Sequence, residues 1–329
     1  MFSRLSRGVI ALALTFAATP ALHSQAIAAD PWPAKPVRII VPYAAGGTAD
    51  LLGRMAAQKL TEVFGQQFVV ENRPGAGGLV GSDLAAHAAP DGYTLEVSGV
   101  ASHIMAPALK SGLSFDPVNG FTHIVLLGGP PDVIAVNKGV AAKTFADLVA
   151  LSKGTTDGLS YGTAGIGTHG QLVCELLQKR VGFKMTHVPY RGGSAAITDL
   201  VAGHVPVACL TLTTASEQLR AGTIRAVVVS TPHRLADYPD IPTFAELGYP
   251  DLTASTWFAL SGPLGLPPEI VERINAAIIR TFAEPDVRAR LDRDAMALPP
   301  LSPAAFTAFF KEEAARWTPF ARASGATAD

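Results

Sequence analysis

The chain has 329 residues, of which 48% are hydrophobic and only 16% charged, with a formal net charge of −1 and a mean hydropathy of +0.28. Intrinsic disorder needs low hydrophobicity and high net charge and is excluded, and the near-neutral balance leaves no electrostatic footprint for nucleic acid. A membrane protein would share this composition, but beyond the extreme N-terminus every 18-residue stretch meets a charge or a Pro/Gly break.

At the N-terminus, Arg4 and Arg7 precede the apolar run Gly8–Ala18, followed by Pro20 and the small-residue stretch Ala26-Ile27-Ala28. This is the pattern of a secretory signal peptide at 1–28, and the run is too short for a membrane anchor. Cleavage after Ala28 leaves 24 basic against 27 acidic residues, a net charge of −3. Export permits disulfides. With Cys174 and Cys209 the only cysteines, two readings stay open: a disulfide, or two buried thiols acting as small hydrophobes. Neither has His neighbours at ligand spacing, so no metal is expected.

In chain order, Val37–Val41 is a β-branched run and reads as a buried strand. Thr48-Ala49-Asp50 opens a helix that Gly65 ends. Residues 67–70 form a second strand, 71–78 a loop feeding a helix through His87, and 93–97 a third strand. Further strands are expected at 132–136, 159–161, 185–188, 205–212, 223–230 and 255–260. Helices are expected at about 168–179, 194–202 and 215–221. Pro267-Pro268-Glu269 starts another helix with Pro at its first position. Ser302-Pro303 starts a last one, whose Phe306, Phe309, Phe310 and Trp317 form a core-facing stripe. Strands alternating with helices imply parallel pairing with crossover helices.

Three strand-to-helix junctions share one design. The first contains Tyr43, Ala45, Gly46, Gly47, Thr48 and Asp50. The second contains Thr163, Ala164, Gly165, Gly167, Thr168 and His169. The third contains Tyr190, Arg191 and Gly192 before Ser194. Ligands of open α/β sheets sit off the carboxyl ends of strands, and helix N-termini there offer unpaired N–H groups that suit carboxylates or phosphates. The plainer alternative is that each Gly makes a tight turn and each hydroxyl only caps its helix. No P-loop Lys is present, and Gly162–Gly167 lacks the G-x-G-x-x-G register. The histidines lack metal spacing, and no cofactor is expected. Arg191 is the one fixed cation in the three loops.

Several strings together resemble the substrate-binding receptors of tripartite tricarboxylate transporters, the TctC-like or Bug family. They are Trp32-Pro33-Ala34-Lys35-Pro36-Val37-Arg38-Ile39-Ile40-Val41-Pro42-Tyr43 with Gly46-Gly47 and Asp50, then Glu71-Asn72-Arg73-Pro74-Gly75-Ala76-Gly77-Gly78 and Pro90-Asp91-Gly92-Tyr93-Thr94-Leu95. His187-Val188-Pro189-Tyr190-Arg191-Gly192 and Pro239-Asp240-Ile241-Pro242-Thr243 with Glu246-Leu247-Gly248-Tyr249-Pro250 complete the set. The resemblance implies a two-lobed α/β periplasmic binding protein, a Venus flytrap of type II-like form, each lobe a mixed, mostly parallel sheet flanked by helices. It implies ligand contacts from the three junction loops and from the loop after the third strand, near Ala101 and Ser102. It also implies recognition largely through backbone groups and bridging water. Two places differ from the family's usual pattern: Gln171-Leu172, where His often precedes Leu, with His169 displaced toward the loop, and His204-Val205-Pro206-Val207, where Asp is frequent.

The expectation is a monomeric periplasmic receptor, not an enzyme, that captures a small carboxylate or dicarboxylate between its lobes and passes it to membrane permease subunits. The lobes are expected at 29–128 plus 254–329 and at 129–253, joined by strands near 125–127 and 253–258. A secreted α/β enzyme using the same cleft, or a solute sensor, are the alternatives.

Overall fold

The computed structural model describes residues 32–326 apart from 157, 254 and 297. The expected signal peptide lies outside the described residues. From the N-terminal side the chain runs β1 (Val37–Val41), α1 (Thr48–Phe64), β2 (Phe68–Asn72), α2 (Leu79–Ala86), β3 (Thr94–Gly99), a π-helical turn (Ala101–Met105) continued by α3 (Ala106–Ala108), and β4 (Phe121–Gly128). The middle comprises β5 (Asp132–Asn137), α4 (Phe145–Lys153), β6 (Leu159–Thr163), α5 (His169–Val181), β7 (Met185–Pro189), α6 (Gly193–Ala202), β8 (Val207–Thr211), α7 (Leu212–Arg220) and β9 (Ile224–Val229). The chain then returns as β10 (Phe258–Pro263), α8 (Pro268–Phe282), α9 (Pro285–Arg293) and α10 (Pro303–Ser324).

The strands build two five-stranded sheets of matching topology, β2-β1-β3-β10-β4 and β7-β6-β8-β5-β9. In the first, β1 pairs parallel with β2 and β3, while β10 runs antiparallel to β3 and β4. In the second, β6 pairs parallel with β7 and β8, while β5 runs antiparallel to β8 and β9. Both sheets are mixed, as expected, and antiparallel pairings equal the parallel ones in number. The physical reason is strand placement: β10 and β5 each enter a sheet directly after the chain has crossed from the other lobe, so no crossover helix sets their direction. The crossings fall just after β4 and just before β10, where Pro131 and Ser255 form an antiparallel bridge.

Strand and helix starts follow local chemistry. Gly65 ends α1 in the left-handed conformation (φ 69°). Thr144 and Asp147 close a capping box on α4, and Pro268 occupies the first turn of α8. The expected strand at 205–212 is β8, and it stops at Thr211, because Leu212 already opens α7. The strand expected at 255–260 begins only at Phe258, because residues 255–257 belong to the crossing.

Each lobe has its own core. In the first, Ile39, Val41, Val97 and Leu260 pack against Leu52 and Leu60 of α1 and Ile274 of α8. In the second, Ile134, Tyr161 and Val207 pack against Val173 and Leu177 of α5. A third cluster joins α10 to both lobes. The expected stripe on that helix is buried at Phe306, Phe310 and Trp317 and packs on Val100, Leu126 and Trp257 of the first lobe and on Leu172 of the second. Phe310 stacks on His123 with ring centroids 3.8 Å apart and meets Trp257 at 5.1 Å. Glu313 accepts hydrogen bonds from the indoles of both Trp257 (2.9 Å) and Trp317 (3.0 Å).

Phe310 is fully buried, so Phe310→Ala is expected to cost about 3–5 kcal/mol in denaturant unfolding. Leu264→Ala, at a side chain 62% exposed, should stay within about 0.5 kcal/mol.

Candidate functional site

In each sheet the strand order reverses at a switch point, between β1 and β3 in the first lobe and between β6 and β8 in the second. Loops leaving neighbouring strands at such a point diverge and open a crevice at their carboxyl ends. Here the two crevices face each other. They enclose a cavity of about 60 Å³ lined from the first lobe by Tyr43, Gly47, Thr48, Val100 and Ala101, and from the second by Ala164, Thr168, His169, Gly193, Thr211 and Thr214. Asp132, Cys209, Thr256, Trp257 and Phe258 are also in its walls.

Four helices begin at this cavity: α1 at Thr48, α5 at His169, α6 at Gly193 and α7 at Leu212. First-turn N–H groups have no intrahelical acceptor, and each helix contributes a partial positive charge at that end. None of the four helices is closed by a side-chain cap. The hydroxyls expected at the starts of the first three do other things. Thr48 Oγ1 lies 2.8 Å from Thr211 Oγ1 and 3.5 Å from Thr214 Oγ1, so three threonines meet across the cleft. Thr168 donates to the Gly165 carbonyl at 2.7 Å, and Ser194 donates across the cleft to the Ala45 carbonyl at 2.8 Å. Among the described residues, no Lys or Arg lines the cavity.

The first-strand loop is shaped from behind by Asp50. Its carboxylate accepts from the Gly46 N–H (3.0 Å), Arg54 Nε (2.9 Å) and the Asn72 amide (2.9 Å). Burial pushes this carboxyl up, but those hydrogen bonds and the Arg54 charge outweigh it and hold it below the usual carboxylate range. The Gly46 N–H is therefore engaged inside the loop, and Gly46 and Ala45 are exposed at its rim. Tyr43 donates to the Gly77 carbonyl at 3.2 Å, and burial raises its phenol.

The remaining expected residues separate into three groups. Tyr190, Arg191 and Gly165 lie outside this cavity, on a neighbouring groove shared with Tyr43, Ala164 and residues 75–78. Tyr190 turns its hydroxyl to Asp199 (2.6 Å), and burial with that bond raises it to about 12. Gly192 and Gly167 sit where the lobes touch. A Cβ at Gly167 (φ 71°) would come within 2.6 Å of the Ala106 backbone, and one at Gly192 within 3.3 Å of Ala44. Thr163 and Ser102 are sealed beneath the surface. Thr163 pairs with His187 at 2.7 Å, and burial pushes that imidazole down to about 4. Ser102 pairs with His103 (2.9 Å), whose other nitrogen lies 3.4 Å from Glu96.

Sequence reasoning missed Asp132, Thr211, Thr214 and Thr256. The run Thr211-Leu212-Thr213-Thr214 was the available signal, hidden by extending its strand one residue too far. Cys174 and Cys209 are both free thiols. The hydrogen bond between them, together with burial, raises the Cys209 thiol.

Comparison with known proteins gives this geometry a family. Residues 52–325 match the profile of the tripartite tricarboxylate transporter family receptor, TctC. A UPF0065 protein in the TAR-I ttuE-ttuC′ intergenic region of Agrobacterium vitis is 37% identical, covering 95% of this chain and 90% of its own. A solved R. palustris protein with adipate superposes with TM-score 0.86 at 30% identity over 90% of this chain and 99% of its own. MatC from Rhodopseudomonas palustris with bound malate superposes with TM-score 0.83 at 32% identity over 88% and 100%.

Asp50→Ala strands three donors and is expected to cost about 1–3 kcal/mol. Because the folded-state pKa lies below the unfolded value of 3.8, the wild-type contribution is complete above that pH and is lost as pH falls through the folded value. Urea unfolding of the variant across that window should show a flatter acid limb than wild type.

The matched profile and this two-lobed α/β fold together make the chain a member of the tripartite tricarboxylate transporter receptor family.

Proposed function

We propose that this protein is a periplasmic solute receptor that closes its two lobes on a small organic acid and delivers it to a tripartite tricarboxylate-type permease. The observation that carries this reading is the convergence of four uncapped helix N-termini on one cavity whose lining, among the described residues, has no Lys or Arg. Oriented N–H groups there bind a carboxylate without the desolvation of a paired cation. The acid's carboxylate sits against Gly47, Thr48, Gly193, Thr211 and Thr214, with Thr168 and Ala101 closing around it. Tyr190, Arg191 and Gly192 shape the neighbouring rim. The two R. palustris relatives are solved with organic acids, adipate and malate, and a carboxylate is the group these helix starts suit.

The lobes of the working protein are 29–128 plus 254–329 and 129–253, and the chain acts as a monomer. Export removes residues 1–28, so the mature N-terminus is Ala29. A receptor rather than an enzyme is supported by Ser102, His103 and Glu96. They form a hydroxyl–imidazole–carboxylate run, yet all three are fully buried and out of a substrate's reach. Closure follows if the acid binds the closed state preferentially.

Thermal-shift screening with mono-, di- and tricarboxylates, amino acids and aromatic acids should find acids that raise the melting temperature by several degrees at about 100 times Kd. Thr48→Ala should weaken the best of them about fivefold or more. If no acid shifts the transition, the receptor reading fails.

A further inference from the structure

Building on the receptor reading, we infer that the acid held in this cleft carries a hydrogen-bond donor, an ammonium, amide or hydroxyl group, that Asp132 accepts, and that the cleft selects against a second carboxylate.

Asp132 opens β5 at the crossing between lobes, is 2% exposed and lines the cavity. Its backbone is fixed on both sides by Ser230: the Asp132 N–H donates to the Ser230 hydroxyl at 2.8 Å, and the Ser230 N–H donates to the Asp132 carbonyl at 2.9 Å. One carboxylate oxygen, Oδ2, pairs with His169 Nδ1 at the start of α5. The other, Oδ1, accepts no hydrogen bond from the described residues and is not among the polar atoms sealed from solvent. A nearly buried carboxylate thus offers an unused acceptor to the cavity it lines, and a buried acceptor left unpaired is costly.

Asp132 also faces Thr211 across the antiparallel β5–β8 pair. Such partners have Cα atoms about 4.5–5.5 Å apart with side chains on the same side. Thr211 in turn touches Thr48 at the start of α1. The cavity therefore sets one carboxylate beside the starts of α5 and α7, while α1 and α6 open on it at Thr48 and Gly193. A ligand carboxylate is favoured at the starts of α1 and α6. A second one would face Asp132 in a low-dielectric setting where, among the described residues, no Lys or Arg is present, His169 Nδ1 is engaged by Asp132, and His169 Nε2, though unpaired, is sealed from solvent. A donor beside Asp132 satisfies Oδ1 instead.

The test is calorimetric titration of the exported wild-type protein with three- to six-carbon α,ω-dicarboxylates and with amino and hydroxy monocarboxylates of the same chain lengths. The best amino or hydroxy acid should bind about tenfold or more tightly than the dicarboxylate of equal length. Asp132→Asn should reduce that preference by about tenfold or more. A wild-type protein that binds a dicarboxylate best overturns the inference and leaves the receptor reading standing. Absence of binding by every acid in the panel sinks both. A preference unchanged by Asp132→Asn assigns the carboxylate to holding His169 alone and also overturns the inference. Should that variant not fold, the wild-type ratio decides.

Discussion

The structure depends on one geometric constraint: the carboxyl ends of the parallel strands in two separate sheets must face each other across a single cleft. The double crossing of the chain between the lobes goes with it. The chain leaves β4, enters the second sheet antiparallel as β5, and returns antiparallel as β10. Each lobe's switch point is turned toward the other. Helices that follow the parallel strands must then start at the cleft, and their dipoles add there. The helix-start N–H groups of the site are a consequence of topology, needing no charged side chain to place them.

Those N–H groups are only useful if the loops hold their shape. Asp50 performs this task for the first loop, joining Gly46, Arg54 and Asn72 from behind rather than facing the cavity. On the other side, the lobes come so close that Gly167 and Gly192 stand where larger residues would collide with the opposite lobe. α10 adds a third restraint. It packs on the first sheet and on Leu172 of α5, and Glu313 ties together Trp257 at the crossing and Trp317 beside His169. The last helix thus spans the boundary that separates the lobes elsewhere.

Polar groups divide sharply by whether they reach the cavity. Glu96, His103 and Ser102 are fully buried and stabilise the turn after β3, whereas Asp132 and His169, nearly as buried, lie in the cavity wall. Both sets contain a carboxylate beside an imidazole. Their surroundings, not their composition, give them different roles.

Much of this was legible in the residues. The β-branched run at Val37–Val41, the Gly65 helix end, the proline start at Pro268 and the aromatic stripe of α10 are local signals, and they identify elements because propensity and periodicity act over a few residues. Thr48, Thr168 and His169 could be placed at the cleft for the same reason, since a strand–glycine–helix junction fixes where its helix starts. What the sequence could not supply is which distant groups meet. Thr211 and Thr214 join Thr48 from more than 160 positions away, Asp132 pairs with His169 across 37, and Tyr190 turns from the cleft to Asp199. Local chemistry thus determined most of the strands and helices, α4 and α9 excepted, and three of the four helix starts. The fourth start, the pairing of the threonines and the carboxylate wall were decided by the tertiary structure, because strand pairing inside the second sheet sets Asp132 beside Thr211 and the facing of the two lobes brings Thr48 to them.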